Sequence, residues 1–167
     1  MRKLTFSLFL LMSSFSFSQK VIVKNSLQIE HGDIKLYLDD DTCTMVSKHT
    51  ISWKEFQKIG TYSRSEKWFD DKYTGKYLKK YYIKSGFDKG HLTPSHITTY
   101  DSLLNIKSFS MFNAAPQYKY FNQQSWQELE SDVEDTIARY KLNATIITGV
   151  IYNEKDKKYL TNLELIK

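Results

Sequence analysis

The sequence predicts an α+β fold in which short strands precede one long amphipathic helix. Ile34, Leu36 and Leu38 alternate with polar residues, which is typical of a strand with one buried face. The segment Tyr77–Ile83 is rich in β-forming residues and predicts a strand that delivers Asp88–His91 at its end. After Asn122, apolar residues recur at helical spacing and predict a helix with one buried stripe: Trp126, Leu129, Val133, Ile137 and Tyr140.

The other predicted elements are short. Val21–Val23 predicts a strand, and Asp39–Asp41 predicts an acidic turn that lacks the glycine and glutamate of a calcium loop. Thr44–Trp53 fits either a strand or the start of a helix, and its periodicity does not decide between them. Ile146–Tyr152 predicts a core strand. A chain of 167 residues without repeats or linkers is expected to form one domain.

Composition and charge permit, but do not require, a polyanionic partner. The chain is 41% hydrophobic and 26% charged, with a net charge of +5. Lys79, Lys80 and Lys84 alternate with tyrosines, a mixture that suits a phosphate backbone with bases stacked nearby. A solvated, lysine-rich strand edge has the same composition. Cys43 is the single cysteine of the sequence, which excludes an intramolecular disulfide and a cysteine-based zinc cluster.

The N-terminus has the layout of a secretory signal peptide. Met1, Arg2 and Lys3 precede the apolar stretch Leu4–Met12 and the serine-rich stretch Ser13–Ser18. We therefore expect a signal peptide over residues 1–18 and a secreted or periplasmic domain over residues 19–167. After cleavage no stable membrane association is expected, whereas a retained N-terminal anchor is the alternative interpretation.

The run Asp88-Lys89-Gly90-His91 concentrates groups that carry chemistry, and it predicts a catalytic loop. Histidine is suited to moving protons near neutral pH, and a lysine can stabilise a developing negative charge. Glycine lets the backbone turn sharply or approach a ligand closely. Alone, the four residues also fit a surface turn with a solvated histidine.

The residues that follow make the order of the motif specific. Pro94 comes soon after His91, then Asn113 with Pro116 and Gln117, then Asn122 with Trp126 and Glu130 at intervals of four. This order resembles the DNA/RNA non-specific endonuclease family, which includes secreted bacterial nucleases and endonuclease G relatives. The resemblance implies a mixed or antiparallel sheet core with a ββα-metal (His-Me finger) catalytic unit.

The same resemblance implies a role for each matched residue. His91 would be the general base and Asn122 the direct ligand of Mg²⁺, with Mn²⁺ or another divalent cation as substitutes. Glu130 would hold metal-bound water, Asn113 would orient groups around His91 or the phosphate, and Lys89 would stabilise the transition state. Asp88 would brace the loop or a metal water, although a turn-capping aspartate fits equally well.

Two departures from the family pattern stand beside these matches. Lys89 occupies a position where most members have arginine, so the cation is kept and the two-pronged phosphate geometry is lost. Family domains usually continue through further strands, so the domain is expected to be short or C-terminally incomplete. A zinc site formed by His91 and His96 is disfavoured, because their five-residue offset is poor for one helical face.

These features together predict a secreted, metal-dependent, sequence-tolerant endonuclease that hydrolyses DNA, RNA or both and leaves 5′-phosphate ends. The alternative is a nuclease-like module with weak or no catalysis that binds nucleic acid or protein. Mere binding needs neither a base nor a metal ligand at this spacing. The preference between DNA and RNA, the biological role and the oligomeric state do not follow from the sequence.

Overall fold

A computed structural model describes residues 27–38, 44–71 and 79–150 of the chain. Its larger sheet is antiparallel. Its strands lie side by side in the order Leu27–His31 (β1), Ile34–Leu38 (β2), Thr44–Ile51 (β3) and Ala144–Gly149 (β6). A separate two-stranded ribbon pairs β4 (Phe87–His91) with β5 (Ala114–Tyr118), again antiparallel.

The helices connect and cover these strands. They are α1 (Trp53–Phe56), α2 (Ser102–Ser108) and α3 (Gln127–Tyr140). Three short 3₁₀ turns span Lys79–Tyr82, His96–Thr98 and Met111–Asn113, and a π-helical segment over Phe121–Trp126 leads into α3. None of the helices in the described ranges has the length and hydropathy that a bilayer crossing requires.

Two apolar clusters hold these elements together. The first joins the inward residues of β2 to α2 and contains Ile34, Leu36, Leu38, Leu104 and Phe112. The second joins β3 and β6 to α3 through Ile51, Ile97, Ile137 and Ile146. The alternating burial of β2 places its apolar face against α2, as its period of two predicts. The predicted α+β fold with an antiparallel sheet is confirmed.

Most of the predicted elements that fall in the described ranges are confirmed. The strand at Ile34–Leu38 and the helix after Asn122 are both present, and Ile146 lies in β6. Thr44–Trp53 contains both alternatives, because β3 ends at Ile51 and Ser52 caps α1 through a capping box with Glu55. Val21–Val23, Asp39–Asp41 and residues 151–152 lie outside the described residues.

The prediction of a strand over Tyr77–Ile83 is wrong for its described part. Lys79–Tyr82 forms a 3₁₀ turn. The backbone N–H of Lys79 donates to the Asp70 carboxylate (2.7 Å), and Lys84 closes the turn with a left-handed φ of 56°. These local bonds outweigh the β propensity of the aromatic residues. The strand that carries the motif is instead the motif itself, since Asp88–His91 lies within β4.

Candidate active site

The β4–β5 ribbon separates the motif into two faces. Successive side chains of a strand point to opposite faces, so Phe87, Lys89 and His91 share one face, while Asp88 and Gly90 share the other. The register places Tyr118 opposite Phe87 and Ala114 opposite His91. The predicted catalytic loop is therefore a strand.

His91 lies at the end of β4 in an aromatic pocket and is 8% exposed. The ring centroid of Trp68 lies 4.4 Å from that of His91, and the ring centroid of Phe109 lies 4.6 Å away in an edge-to-face arrangement. Burial, with the positive charge of Arg64 nearby, lowers the pKa of His91 to about 3. The imidazole is therefore neutral at physiological pH. Its Nε2 is enclosed and has no hydrogen-bond partner among the described residues.

Arg64 is a site residue that the sequence analysis missed. Its Nε donates to the buried hydroxyl of Ser95 (2.6 Å), and its guanidinium lies 5.0 Å from the Phe109 ring centroid. The same positive charge favours the neutral form of His91 and opposes the rise in the pKa of Glu130. Arg64 is one of three arginines in a lysine-rich chain. That rarity was the available signal, because arginine suits two-pronged phosphate recognition.

Trp126 links the helical side of the site to the ribbon. Its indole N–H donates to the backbone carbonyl of His91 (3.2 Å), and its side chain is buried. The intervals of four between Asn122, Trp126 and Glu130 were expected to align these residues on one side of a helix. The π-helical segment from Phe121 to Trp126 widens that turn, because its hydrogen bonds close over five residues instead of four.

Glu130 is partly buried on the first turn of α3. Burial raises the pKa of its carboxyl to about 7, against opposing effects of the Trp126 indole and Arg64. The neighbouring charge of Glu134 adds to the increase. Glu130 thus changes its protonation state near neutral pH, and the charge of Arg64 acts on its pKa as it does on that of His91.

Asp88 and Asn122 meet where β4 approaches the start of the π-helical segment. The Asp88 carboxylate accepts hydrogen bonds from Asn122 Nδ2 (3.1 Å) and Gln123 Nε2 (2.9 Å). Asp88 therefore braces β4 against the start of the π-helical segment, and it lies in a strand rather than in a turn. With its amide nitrogen on Asp88, Asn122 turns its amide oxygen in another direction.

The donor chemistry at this junction fits a hard divalent cation. Asp88 and Asn122 present carboxylate and amide oxygens, which Mg²⁺ prefers, and Mg²⁺ retains several waters and needs few protein ligands. Among the described residues, no group of three or more histidine, cysteine, aspartate and glutamate side chains is arranged to hold a metal. The residues present fit a sparse oxygen site rather than a zinc-type cage.

Asn113 lies in the 3₁₀ turn before β5 and is fully buried. Its Oδ1 accepts from the backbone N–H of Thr93 (2.9 Å), and its Nδ2 donates to the carbonyls of Thr93 (2.9 Å) and Ser108 (2.8 Å). Every hydrogen bond of the Asn113 amide thus goes to backbone groups. Asn113 holds the turn that follows His91, and in this structure it orients His91 through the backbone.

The lysines predicted to bind nucleic acid lie before β4 and are exposed at Lys79, Lys80 and Lys84. Lys80 Nζ lies 5.2 Å from the Tyr81 ring centroid, and Lys89 Nζ lies 5.7 Å from that of Tyr82. The tyrosine-lysine alternation in the sequence thus becomes a set of cation–π contacts. Lys89 is partly buried and shares the ribbon face of His91.

His96 does not join His91. It is exposed, and its Nδ1 lies within hydrogen-bond distance of the Glu134 carboxylate (2.8 Å) on α3. The structure thus gives His96 a surface partner instead of a shared metal site. The two remaining histidines, His31 and His49, also lie away from the ribbon: His31 pairs with Asp71 (3.0 Å), and His49 is buried in β3 beside Tyr100.

Comparison with known proteins agrees with this arrangement. A profile of the family described as DNA/RNA non-specific endonuclease matches residues 12–166. The mitochondrial nuclease of Saccharomyces cerevisiae is 25% identical over 126 residues, which are 72% of this chain and 37% of the yeast protein. Mitochondrial endonuclease G of Caenorhabditis elegans is 34% identical over 84 residues, covering 47% of this chain and 27% of the nematode protein. The chain thus spans well under half the length of both relatives.

A solved structure of an EndoG/EndoGI complex shares the fold. It superposes with a TM-score of 0.61 at 21% identity, covering 72% of this chain and 50% of that chain. At this identity the similarity concerns the fold alone. The family profile, in contrast, covers nearly the whole sequence, including every residue of the ribbon and α3. The chain belongs to the DNA/RNA non-specific endonuclease family.

Proposed function

We propose that this protein is a divalent-metal-dependent endonuclease that hydrolyses phosphodiester bonds of DNA, RNA or both without strong sequence preference. The observation that carries the proposal is His91, a neutral imidazole held in an aromatic pocket beside Arg64, on the same ribbon face as Lys89. A neutral base, an arginine whose charge acts on it and a lysine on the same ribbon face are the kinds of group that phosphodiester hydrolysis requires. The names of the yeast and nematode relatives, a nuclease and an endonuclease, support the same activity.

His91 takes the proton of the attacking water in this scheme. A neutral imidazole has one N–H and one lone pair, and the enclosed Nε2 is unsuited to receive a proton from water. We therefore assign the N–H to Nε2 and the accepting lone pair to Nδ1. The pKa of about 3 belongs to the protein without substrate. A bound phosphate anion would raise it, because a nearby negative charge favours the imidazolium.

The bond changes balance around His91. The water oxygen forms a bond to phosphorus while its proton passes to Nδ1 of His91, and the bond from phosphorus to the 3′ oxygen breaks. The 3′ oxygen gains a proton from solvent, which leaves a 3′ hydroxyl and a 5′ phosphate. Lys89 and Arg64 neutralise charge on the non-bridging oxygens, where one well-placed partner contributes roughly 3–4 kcal/mol.

The metal assignment rests on Asp88, Asn122 and Glu130. Asn122 would hold the cation through its amide oxygen, and Glu130 would hold a metal-bound water. A bound divalent cation, for which Mg²⁺ is the best fit, would supply Lewis-acid polarisation of the phosphate. Asp88 keeps the Asn122 side chain against β4 through its hydrogen bond (3.1 Å), so it acts as a positioning residue.

We also propose that residues 1–18 direct export, which would make the mature domain begin at Gln19 and act outside the cytoplasm. The basic start, the apolar stretch and the serine-rich end of this segment support the proposal. N-terminal sequencing of the protein recovered from the medium or periplasm of the native cell tests it. A cell-associated protein that retains Met1 would contradict it.

The activity is tested with plasmid DNA and total RNA, with Mg²⁺ or EDTA, for the wild type and His91→Ala. We expect cleavage that requires the metal and falls about 10²–10⁴-fold in His91→Ala, as loss of a general base predicts. His96→Gln is the matched control, because the His96 side chain is exposed and contacts the Glu134 carboxylate, away from the ribbon. This variant should retain wild-type turnover.

The same assay distinguishes the endonuclease from the alternative, a binding module. Circular dichroism must first show that each variant is folded. Equal cleavage by wild type and His91→Ala would remove the proposed mechanism. A folded wild type that binds nucleic acid without cleaving it would establish the binding module instead.

A further inference from the structure

The outer end of the β4–β5 ribbon carries aromatic rings that the proposed chemistry does not use. Tyr118 is 67% exposed and pairs with Phe87 across the ribbon, with ring centroids 4.9 Å apart and tilted by 42°. Tyr120, two residues further on, is 71% exposed. Tyr118 has little role in the core, because the structure places it outside both apolar clusters.

This pair shares the ribbon face of the site. Phe87, Lys89 and His91 follow one another at every second position of β4, so their side chains leave the same face. At 3.4 Å per residue, Phe87 lies about 14 Å from His91, with Lys89 midway between them. A polymer that places a phosphate at His91 and Lys89 therefore passes the Phe87–Tyr118 pair within a short stretch of chain.

Lysines precede and follow the aromatic pair along the chain. Exposed Lys84 precedes β4 and exposed Lys119 follows Tyr118, so lysines flank the aromatic pair on both strands. The single acidic side chain of the two strands, Asp88, points to the opposite face and is bonded to Asn122. Rings flanked by lysines match a single-stranded nucleic acid, whose backbone is anionic and whose unpaired bases stack on aromatic side chains.

We propose that Phe87 and Tyr118 form a stacking platform for an unpaired base close to the scissile phosphate, and that the protein therefore prefers single-stranded nucleic acid over duplex. In a duplex each base face is covered by its neighbours in the stack, so an exposed ring gains nothing from it without unstacking. This inference rests on the proposed nuclease function and names the substrate class of that same site.

The test measures binding by fluorescence anisotropy in EDTA, using labelled oligodeoxythymidylate and a labelled hairpin duplex. The proteins are the wild type, Tyr118→Ala, Tyr118→Phe and the control Tyr140→Ala, which removes a 58% exposed tyrosine at the far end of α3. Loss of one stacked base lowers affinity by about 5- to 140-fold. We expect this loss for Tyr118→Ala with the single strand alone, while Tyr118→Phe and Tyr140→Ala retain wild-type affinity.

Two results would overturn the inference. Unchanged affinity of Tyr118→Ala for the single strand would show that Tyr118 does not stack on a bound base. An equal loss for strand and duplex would remove the single-strand preference. Cleavage of plasmid and of single-stranded DNA by the wild type is measured in parallel, so that absence of all cleavage contradicts the proposed function whatever the binding result.

Discussion

The Gln117 side chain fills the space beside Gly90, on the ribbon face that also carries Asp88. A Cβ at position 90 would lie 2.1 Å from the Gln117 amide. Gln117 is buried, at 6% exposed. The glycine of the motif is therefore required by packing, and its φ is not left-handed. The sequence suggested a sharp turn or a close ligand approach, whereas the structure shows a close approach by a side chain.

Gly90→Ala should consequently lower the free energy of unfolding by about 1–3 kcal/mol, because Gln117 must leave its buried position. Gln117→Ala frees the same space, so the glycine substitution should cost much less in that background. Urea unfolding of the wild type, both single variants and the double variant measures the coupling. Strictly additive losses would contradict the overlap of the two side chains.

Asn113→Ala tests whether the buried asparagine acts through folding. The substitution leaves the backbone N–H and carbonyl of Thr93 and the carbonyl of Ser108 without their partner. We expect a loss of roughly 3 kcal/mol or more in unfolding free energy. Asn143→Ala is the matched control, since exposed Asn143 accepts one bond from the Trp53 N–H (2.7 Å) and should cost about 1 kcal/mol. Equal stability of both variants would refute the assignment.

The pH dependence of stability should reveal His91 and Glu130 as opposing groups. The folded state lowers the pKa of His91 from 6.5 to about 3, so this group removes stability as pH falls below 6.5. The folded state raises the pKa of Glu130 from 4.5 to about 7, so this group removes stability as pH rises from 4.5 to 7. Between pH 4.5 and 6.5 the two effects largely cancel.

Glu130→Gln removes the contribution of Glu130 to the pH dependence of stability and leaves that of His91. Relative to the wild type, its unfolding free energy should rise by about 1.4 kcal/mol per pH unit between pH 4.5 and 6.5. Urea titrations at three pH values in that window measure the slope, with exposed Glu128→Gln as the control carboxylate. Parallel pH profiles for wild type and Glu130→Gln would show that Glu130 has an ordinary pKa in the folded protein.

Asn122→Ala should weaken the divalent cation without unfolding the protein. Removal of the amide oxygen is expected to lower Mn²⁺ affinity roughly tenfold or more, read from the free Mn²⁺ signal in electron paramagnetic resonance. Gln124→Ala, an exposed change two residues away, serves as the control. Identical Mn²⁺ titrations for Asn122→Ala and wild type would place the cation on other residues.

The sequence predicted the parts of the fold that local periodicity determines. The strand at Ile34–Leu38 and the stripe from Trp126 to Ile137 carry their burial pattern in the residue order, so both could be predicted from it. The strand over Tyr77–Ile83 was wrong because the turn at Lys79–Tyr82 depends on Asp70, a partner outside the segment. The β propensity of the residues in a segment does not include a contact with a residue outside it.

The site shows the same limit. The order of the motif predicted five site residues that lie on the ribbon and the adjoining helical segment: His91, Lys89, Asp88, Asn122 and Glu130. Arg64 and Trp68 were not predicted, because they come from a stretch of chain far from the motif. Arg64 bonds to Ser95, and the Trp68 ring contacts His91 and Phe109. The π-helical segment before α3 was not predicted either, since a four-residue spacing alone does not distinguish a widened helical turn from a regular one.

The segment that carries Arg64 and Trp68 includes a short parallel bridge to the site, in which the Phe69 N–H donates to the Phe109 carbonyl and the Met111 N–H donates to the Phe69 carbonyl (both 3.1 Å). The ribbon and the π-helical segment, in contrast, contact each other directly, because Asn122 donates to Asp88 and the Trp126 indole donates to the His91 carbonyl. Local opening of the bridge would uncover His91 to water and restore its ordinary affinity for protons. Acid should therefore trap this segment in its open form, and hydrogen exchange of the Phe69 and Met111 amides should accelerate before the rest of the domain unfolds.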